Sequence, residues 1–116
     1  MITDWKKYGP VSTGEIVQRG NGEYIRMLSN VTVQANTATD YTRIWGFTHV
    51  SLLVKAAGAS DITVEVSTDG LEWYVAQTIN FTGGGSKAVP LAALGGYMRI
   101  KSSVQQALTV DVYKIR

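Results

Sequence analysis

The stretch that most constrains the fold is residues 61–79, which read DITVEVSTDGLEWYVAQTI. In its first half, polar residues alternate with three apolar ones: Ile62, Val64 and Val66. This period of two is typical of a strand with one buried face. Asp69-Gly70 follows as a turn, because glycine tolerates positive φ and the aspartate carboxylate caps the bend. Alternation resumes after the turn, so the stretch predicts a β-hairpin.

The alternation also predicts how the two strands of this hairpin pair. A loop of even length places Val66 opposite Trp73 and Val64 opposite Val75, with the apolar side chains of both strands on one face. A loop of odd length would divide that face between core and solvent. We therefore predict that Trp73 packs into the core and that Tyr74 points outward.

The remaining chain after residue 21 contains further short strands and no convincing helix. Residues 23–28, 31–36 and 41–47 are expected to form three separate strands, and Val50, Leu52 and Val54 mark another. A chain of 116 residues is long enough for one domain with its own hydrophobic core. Such a core needs no disulfide bonds, and the chain has no cysteine to form one. We predict an all-β, antiparallel, jelly-roll-like sandwich of about eight strands over residues 22–116.

Residues 1–21 show no sustained period and are predicted to form an amino-terminal arm. Two interpretations stay open. The segment is a frayed terminus, or it lies on a neighbouring subunit, since ordering it costs roughly 1–2 kcal/mol per residue that docking must offset. In the second case Trp5 and Tyr8 are the anchors, and Ile16 and Val17 are further contact candidates.

The sequence contains no constellation that indicates catalysis. His49 is the only histidine, and no sequence signal marks an orienting carboxylate or an oxyanion site for it. The glycines at 83–85 lack the spacing and the following helix of a phosphate-binding loop. We predict a non-enzymatic protein without a cofactor. A loop calcium ion held by Asp40 or Asp69 stays open as an alternative.

Charge and hydropathy argue against two classes of partner. The net charge of +2 is too small to indicate nucleic-acid binding by itself. The apolar runs are too short to span a bilayer, and no signal-peptide pattern opens the chain. We therefore expect no nucleic-acid and no membrane partner.

Four tyrosines fall on the polar sides of their expected strands: Tyr41, Tyr74, Tyr97 and Tyr113. An outward aromatic ring can stack on a sugar, line a protein interface, or cover its cross-strand neighbours. The sequence leaves these three roles open.

Several motifs within residues 31–113 carry a family resemblance: VEVSTDGLEWYV, a glycine-rich loop, GGYMRIKSS and TVDVY. Together they resemble small structural proteins of tailed bacteriophages, such as head-decoration and tail-accessory proteins. They are more distantly similar to discoidin-like and carbohydrate-binding sandwiches. The resemblance implies that Trp73 is a core residue and that Arg99 supports a sheet edge. In carbohydrate-binding relatives, sugar contacts lie in loops at one end of the sandwich, where Trp45 is the candidate.

The resemblance to bacteriophage proteins implies a virion structural protein, expected to be made in the host cytoplasm. It would be a capsid decoration, or cement, subunit that forms a homo-oligomer, expected to be a trimer. Its partner would be a major capsid protein or another virion protein, contacted by the arm and a sheet edge. The alternative is a carbohydrate-binding module, which we expect to present a pair of coplanar exposed rings.

Overall fold

The computed structural model describes residues 15–19, 22–91 and 95–116. Nine strands make up this part of the chain: β1 (Glu15–Arg19), β2 (Gly22–Val33), β3 (Thr42–Arg43), β4 (His49–Ala56), β5 (Ser60–Ser67), β6 (Tyr74–Phe81), β7 (Gly85–Leu91), β8 (Tyr97–Ser102) and β9 (Gln106–Ile115). None of the described residues forms a helix, and so none of them forms a helix able to cross a membrane.

The strands form two antiparallel sheets. One sheet has five strands in the order β1-β2-β9-β4-β7, and the other has four in the order β3-β8-β5-β6. Without β1, each sheet has four strands in the order of a jelly roll. The predicted fold class, an all-β jelly-roll-like sandwich, is therefore confirmed, and β1 is an additional edge strand.

The core lies between the two sheets because apolar residues alternate with polar ones along each strand. β4 shows this most regularly, with every second residue from Val50 to Ala56 buried. The fully buried apolar side chains come from both sheets and from the segment just after β3: Ile44, Val50, Leu52, Val54, Ile62, Val64, Met98, Ile100, Leu108, Val110 and Val112.

Part of the segment predicted as an arm forms the edge strand β1 of the five-stranded sheet. Glu15–Arg19 pairs antiparallel with β2, so Ile16 lies opposite Ile25 and Val17 opposite Tyr24. Trp5 and Tyr8 lie outside the described residues, as do positions 1–14, 20 and 21. The division of the chain at residue 21, and any contact of this segment with another subunit, stay predictions.

The predicted register of the central hairpin is wrong. Val66 pairs with Tyr74 instead of Trp73, and a bulge precedes the pairing of Glu65 with Val75. Val75 is consequently 62% exposed instead of buried, whereas Tyr74, at 59%, is exposed as predicted. The cause is a longer turn, which leaves β6 to begin only at Tyr74.

Two other strand predictions need correction. Residues 23–28 and 31–36 do not form two strands, because β2 runs through Gly22–Val33 with register shifts against β9. Asn30 adopts a φ of 53°, a conformation that asparagine tolerates better than most residues. The expected strand at 41–47 is reduced to Thr42–Arg43, since Ile44 and Trp45 both donate their N–H groups to the carbonyl of Gly96.

A buried lysine lies at one end of the core. The side chain of Lys114 points inward from β9 and is only 1% exposed. Its Nζ lies 2.6 Å from the carbonyl oxygen of Arg43 and 3.4 Å from Oε1 of Glu23. Burial lowers the pKa of Lys114, although the charge of Glu23 acts in the opposite direction.

A buried glutamine joins two turns at the other end of the core. The Oε1 atom of Gln106 accepts hydrogen bonds from the N–H groups of Ala57 and Gly58, at 3.0 and 3.1 Å. Its Nε2 atom donates to the hydroxyls of Ser60 and Ser102, at 2.8 and 3.0 Å. One amide thus connects the β4–β5 turn to the end of β8.

Gly95 occupies a position where a side chain does not fit. Its φ is +86°, and an added Cβ would lie 2.9 Å from the carbonyl oxygen of Ser67. We expect Gly95→Ala to lower the free energy of unfolding by about 1–2 kcal/mol, measured by urea denaturation. Gly58→Ala is the matched control, because an added Cβ meets no atom within 4 Å there. Equal stability of the two variants would contradict this account of Gly95.

Candidate functional site

The outer surface of the four-stranded sheet carries a cluster of three aromatic rings. The ring of Tyr41 lies 5.8 Å from that of Trp73 and 5.0 Å from that of Tyr97, centroid to centroid. The interplanar angles are 40° and 64°, and Tyr41 itself is 56% exposed. We call these three residues together with Arg99 the aromatic face.

Arg99 is the support of the aromatic face. It alternates along β8 with the buried Met98 and Ile100, so its side chain points away from the core. Its guanidinium carbon lies 4.2 Å from the centroid of the Trp73 ring, a cation–π contact. The prediction that Trp73 is a core residue is therefore wrong: this indole is half-buried against the outer face of the sheet.

A carboxylate fixes Arg99 beneath the indole. Glu65, on the neighbouring strand β5, accepts a hydrogen bond from Nε of Arg99 at 2.7 Å. The same carboxylate lies 3.5 Å from Nζ of Lys101. The resemblance implied that Arg99 supports a sheet edge. This is wrong, because β8 lies between β3 and β5 and is not an edge strand. Arg99 joins the polar groups of the sheet to the aromatic rings.

The turn before Trp73 is ordered by its own side chains. Oδ1 of Asp69 accepts hydrogen bonds from the N–H groups of Leu71 and Glu72, at 2.8 and 3.0 Å. These bonds lower the pKa of Asp69, because they stabilise its ionised form. The hydroxyl of Ser67 accepts from the N–H group of Gly70 at 2.8 Å. This turn carries the chain to Trp73 and explains the corrected hairpin register.

A second aromatic position lies beside the first. Trp45 is 54% exposed, and the guanidinium carbon of Arg43 lies 4.8 Å from its ring centroid. Arg43 pairs with Tyr97 across β3 and β8, so this pair adjoins the aromatic face. Trp45 therefore lies just after β3, next to the aromatic face, and its role as a sugar contact stays a prediction.

The other predicted aromatic candidates lie apart from the aromatic face. Tyr74 is exposed, and its hydroxyl donates a hydrogen bond to Oε2 of Glu72 at 2.9 Å. Tyr113 is on the five-stranded sheet, with its ring centroid 6.4 Å from that of Tyr24. Of the four predicted tyrosines, only Tyr41 and Tyr97 are brought together.

The arrangement provides binding groups and no catalytic constellation among the described residues. His49 is exposed, with Nδ1 at 3.1 Å from the hydroxyl of Thr48. No group of three or more histidine, aspartate or glutamate side chains within the described part of the chain is placed to hold a metal ion, so neither Asp40 nor Asp69 belongs to such a group. What the site offers is ring faces, guanidinium and ammonium donors, and one carboxylate.

The expectation of two coplanar rings finds no support in the ring contacts of the described residues. Every close ring pair among them is tilted, by 40° to 64°. Each ring of the aromatic face can therefore contact a different part of a ligand, but no two rings offer a continuous flat surface.

Sequence reasoning missed the polar half of this site. The sequence gives Arg99 a role only through the family resemblance, as a support of a sheet edge, and it marks neither Glu65 nor Lys101 as a site residue. Alternation with the buried residues of β5 and β8 already placed all three outward. The contact of Arg99 with Trp73 depends on the path of the turn across the sheet, which alternation does not report.

Comparisons with known proteins give the following similarities. No known family model and no curated protein matches the chain. A solved structure described as "CBM4 structure and function" is similar with a TM-score of 0.46 and 13% identity, over 96% of this chain and 83% of that one. The N-terminal cellulose-binding domain of Cellulomonas fimi β-1,4-glucanase C gives a TM-score of 0.40 and 11% identity, over 90% of this chain and 82% of that one.

A weaker similarity is to the capsular polysaccharide assembling protein CapF from Staphylococcus aureus. Its TM-score is 0.29 and its identity 8%, over 87% of this chain and 28% of that one. The first two neighbours belong to the carbohydrate-binding sandwiches, the more distant of the resemblances seen in the sequence. At these identities and TM-scores the similarities decide nothing about what this chain binds. The resemblance to bacteriophage proteins stays a prediction.

Proposed function

We propose that this protein is a non-catalytic carbohydrate-binding module whose ligand lies on the aromatic face. The observation that supports this is the cluster of tilted rings of Tyr41, Trp73 and Tyr97. Within it, Trp73 stacks on Arg99, which is ion-paired with Glu65. A carbohydrate-binding module was the alternative to a virion protein in the sequence analysis.

The chemistry of the face matches that of a sugar. A pyranose ring has C–H groups on its faces and hydroxyls around its edge. Exposed tyrosine and tryptophan rings can cover the C–H groups, since burying apolar surface is favourable. Charged donors and acceptors beside them can exchange hydrogen bonds with hydroxyls, and bonds to charged groups are stronger than neutral ones. A protein interface of ordinary composition would place fewer charges at its centre.

The test is glycan binding by the full chain and by single variants, using isothermal titration calorimetry and affinity electrophoresis against a panel of soluble polysaccharides. We expect Tyr41→Ala to weaken binding by about tenfold or more, because truncating a central aromatic contact typically has an effect of that size. We expect its stability to change by less than about 0.5 kcal/mol, since the ring is largely exposed.

Tyr74→Ala is the matched control, because that ring is equally exposed but lies outside the aromatic face. It should bind as the unchanged protein does. If no polysaccharide in the panel binds, or if both variants bind normally, the aromatic face is not a glycan site.

A second candidate function is the decoration of a virus shell by a homo-oligomer. The observation that favours it is the outer side of the five-stranded sheet, where Leu53 and Tyr113 are exposed beside an ion pair of Arg26 and Asp111 at 2.7 Å. Exposed apolar groups around a satisfied ion pair are compatible with a protein partner. This face is on the opposite side of the sandwich from the aromatic face.

Light scattering of the purified protein tests the second candidate. A trimer that dissociates in Leu53→Glu and persists in Tyr41→Ala would support association through the five-stranded sheet. A monomer at all concentrations would count against it and would leave the carbohydrate proposal unaffected.

A further inference from the structure

We infer that two copies of this chain associate through the free edge of β6, in an antiparallel register centred on Thr78. The four-stranded sheets of the two copies then join into one continuous sheet. This contact is an interaction surface separate from the aromatic face, and it needs no sugar.

The two sheets end in four edge strands, and three of these carry features that hinder pairing with another chain. β3 has only two residues, and β7 contains Lys87 and Pro90. β1 is five residues long and has a charge at each end, Glu15 and Arg19. Short strands, charges and proline are the usual protection of a sheet edge. In contrast, β6 has eight residues and contains no charged residue, proline or glycine.

The backbone of β6 directs hydrogen-bonding groups away from its own sheet at residues 78 and 80. Asp61 lies opposite Asn80, but its carbonyl oxygen accepts from the N–H of Ser103, at 3.0 Å. The N–H of Asp61 donates to the Ser103 hydroxyl, at 2.9 Å. Asp61 and Asn80 therefore form a pair without mutual hydrogen bonds, so the N–H and C=O groups of Asn80 point outward. Because these directions alternate along an antiparallel strand, the groups of Thr78 also point outward.

Thr78 is the midpoint of the free edge. Lys87 donates to the carbonyl oxygen of Asn80 and so covers one end of the edge. At the other end, a bulge at Ala76 interrupts the pairing of β6 with β5. Among the described residues, no strand pairs with β6 on the side away from β5. The backbone groups of Thr78, an exposed residue, are therefore open to another strand.

A second copy fits this edge because β6 is complementary to itself. With Thr78 of one copy opposite Thr78 of the other, each N–H meets the C=O of its counterpart in two reciprocal hydrogen bonds. No like charges oppose each other, since β6 is uncharged and the whole chain carries only +2. Leu71, Tyr74 and Val75 are 83%, 59% and 62% exposed at the start of the same edge. The pairing brings these apolar side chains beside the end of β6 in the second copy, which covers part of them.

The symmetry of this contact places both aromatic faces on the same side. Two antiparallel copies of one strand in a continuous sheet are related by a two-fold axis perpendicular to that sheet. Such a rotation reverses the strand direction and leaves each face of the sheet on its own side. A long polysaccharide could then contact both aromatic faces, which raises its apparent affinity. This consequence rests on the proposed function, whereas the association itself does not.

The first measurement is sedimentation velocity of the full chain without sugar, from about 10 μM to about 1 mM. We expect a reversible monomer–dimer equilibrium, because one strand edge is small compared with a standard interface of about 800 Å² per partner. Thr78→Lys should weaken the dimer about fivefold or more, since it places two ammonium groups opposite each other. Thr78→Val is the matched control, which keeps the branched shape without a charge and should dimerise as the unchanged protein does. Thermal melts confirm that each variant is folded.

A single cysteine gives an independent readout of the register. The chain has no cysteine, so Thr78→Cys carries one thiol. Directly opposite residues of an antiparallel hydrogen-bonded pair have Cα atoms about 5.5 Å apart, a separation that a disulfide spans. Under mild oxidation, Thr78→Cys should form a disulfide-linked dimer at least about tenfold faster than Lys55→Cys, because pairing raises the effective concentration of its thiols. Lys55 is the control position, exposed on the five-stranded sheet.

Leu53→Glu should leave this dimer intact, because Leu53 lies on the five-stranded sheet. A dimer lost in Leu53→Glu and kept in Thr78→Lys would place the contact on that sheet and overturn the inference. A monomer at every concentration, or equal oxidation rates of the two cysteine variants, would also overturn it. Slow amide exchange of Thr78 in such a monomer would show that another part of the chain covers β6. None of these results would bear on glycan binding by the aromatic face.

Discussion

Replacing Lys114 by methionine is expected to destabilise the protein by about 3–5 kcal/mol in urea denaturation, because it removes one partner of a buried ion pair. The Glu23 carboxylate is nearly as buried as Lys114 and would lose its 3.4 Å contact with this ammonium, whereas its contact with Arg116 is longer, at 3.9 Å. The carbonyl oxygen of Arg43 would also lose its donor. Lys55→Met, on the exposed side of β4, should change the stability by less than about 0.5 kcal/mol.

A second variant separates loss of the pair from loss of packing. We expect Lys114→Met combined with Glu23→Leu to recover most of the stability, since replacing both partners of a buried ion pair by apolar groups is often neutral. A double variant that loses as much as the sum of the single effects would show that the two charges do not act as a pair.

The same lysine gives a dependence of stability on pH. Because burial lowers the pKa of Lys114, the native state releases this proton at a lower pH than the unfolded chain does. Between the native pKa and the ordinary value of about 10.4, the unfolded state binds more protons, so stability due to this group rises with pH. The stability difference between the unchanged protein and Lys114→Met should therefore widen from pH 8 to pH 10. A difference that narrows would mean that Glu23 outweighs burial.

Gln106→Leu is expected to lower the free energy of unfolding by roughly 2–3 kcal/mol, because it leaves several polar groups without a partner. The N–H groups of Ala57 and Gly58 would lose their acceptor, and the hydroxyls of Ser60 and Ser102 would lose a donor. A leucine of similar size fills the space but forms none of these bonds. Urea denaturation is the measurement.

The neighbouring glutamine provides the control for this substitution. Gln105 is exposed, so Gln105→Leu changes the same side chain without removing a buried bond. Its stability should stay within about 0.5 kcal/mol of the unchanged protein. Equal losses for the two variants would show that the turns are not held by the Gln106 amide.

The sequence by itself determined the all-β class and the buried faces of the most regular strands. Alternation of Val50, Leu52 and Val54 placed the core side of β4 correctly, and the same pattern put Tyr41 and Tyr97 outward. Strand alternation is local, because successive side chains of an extended chain must point to opposite faces. The sandwich class followed from the number and spacing of such segments.

Only the tertiary structure decided where Trp73 lies and what surrounds it. Its register depends on the hydrogen bonds of Ser67 and Asp69, which lengthen the turn and shift the pairing by one residue. A shift of one residue reverses which face a side chain occupies, so it moved Trp73 from the expected core onto Arg99. The candidate site arises from contacts between residues distant in the chain, such as Tyr41 with Trp73, and no local pattern reports such contacts.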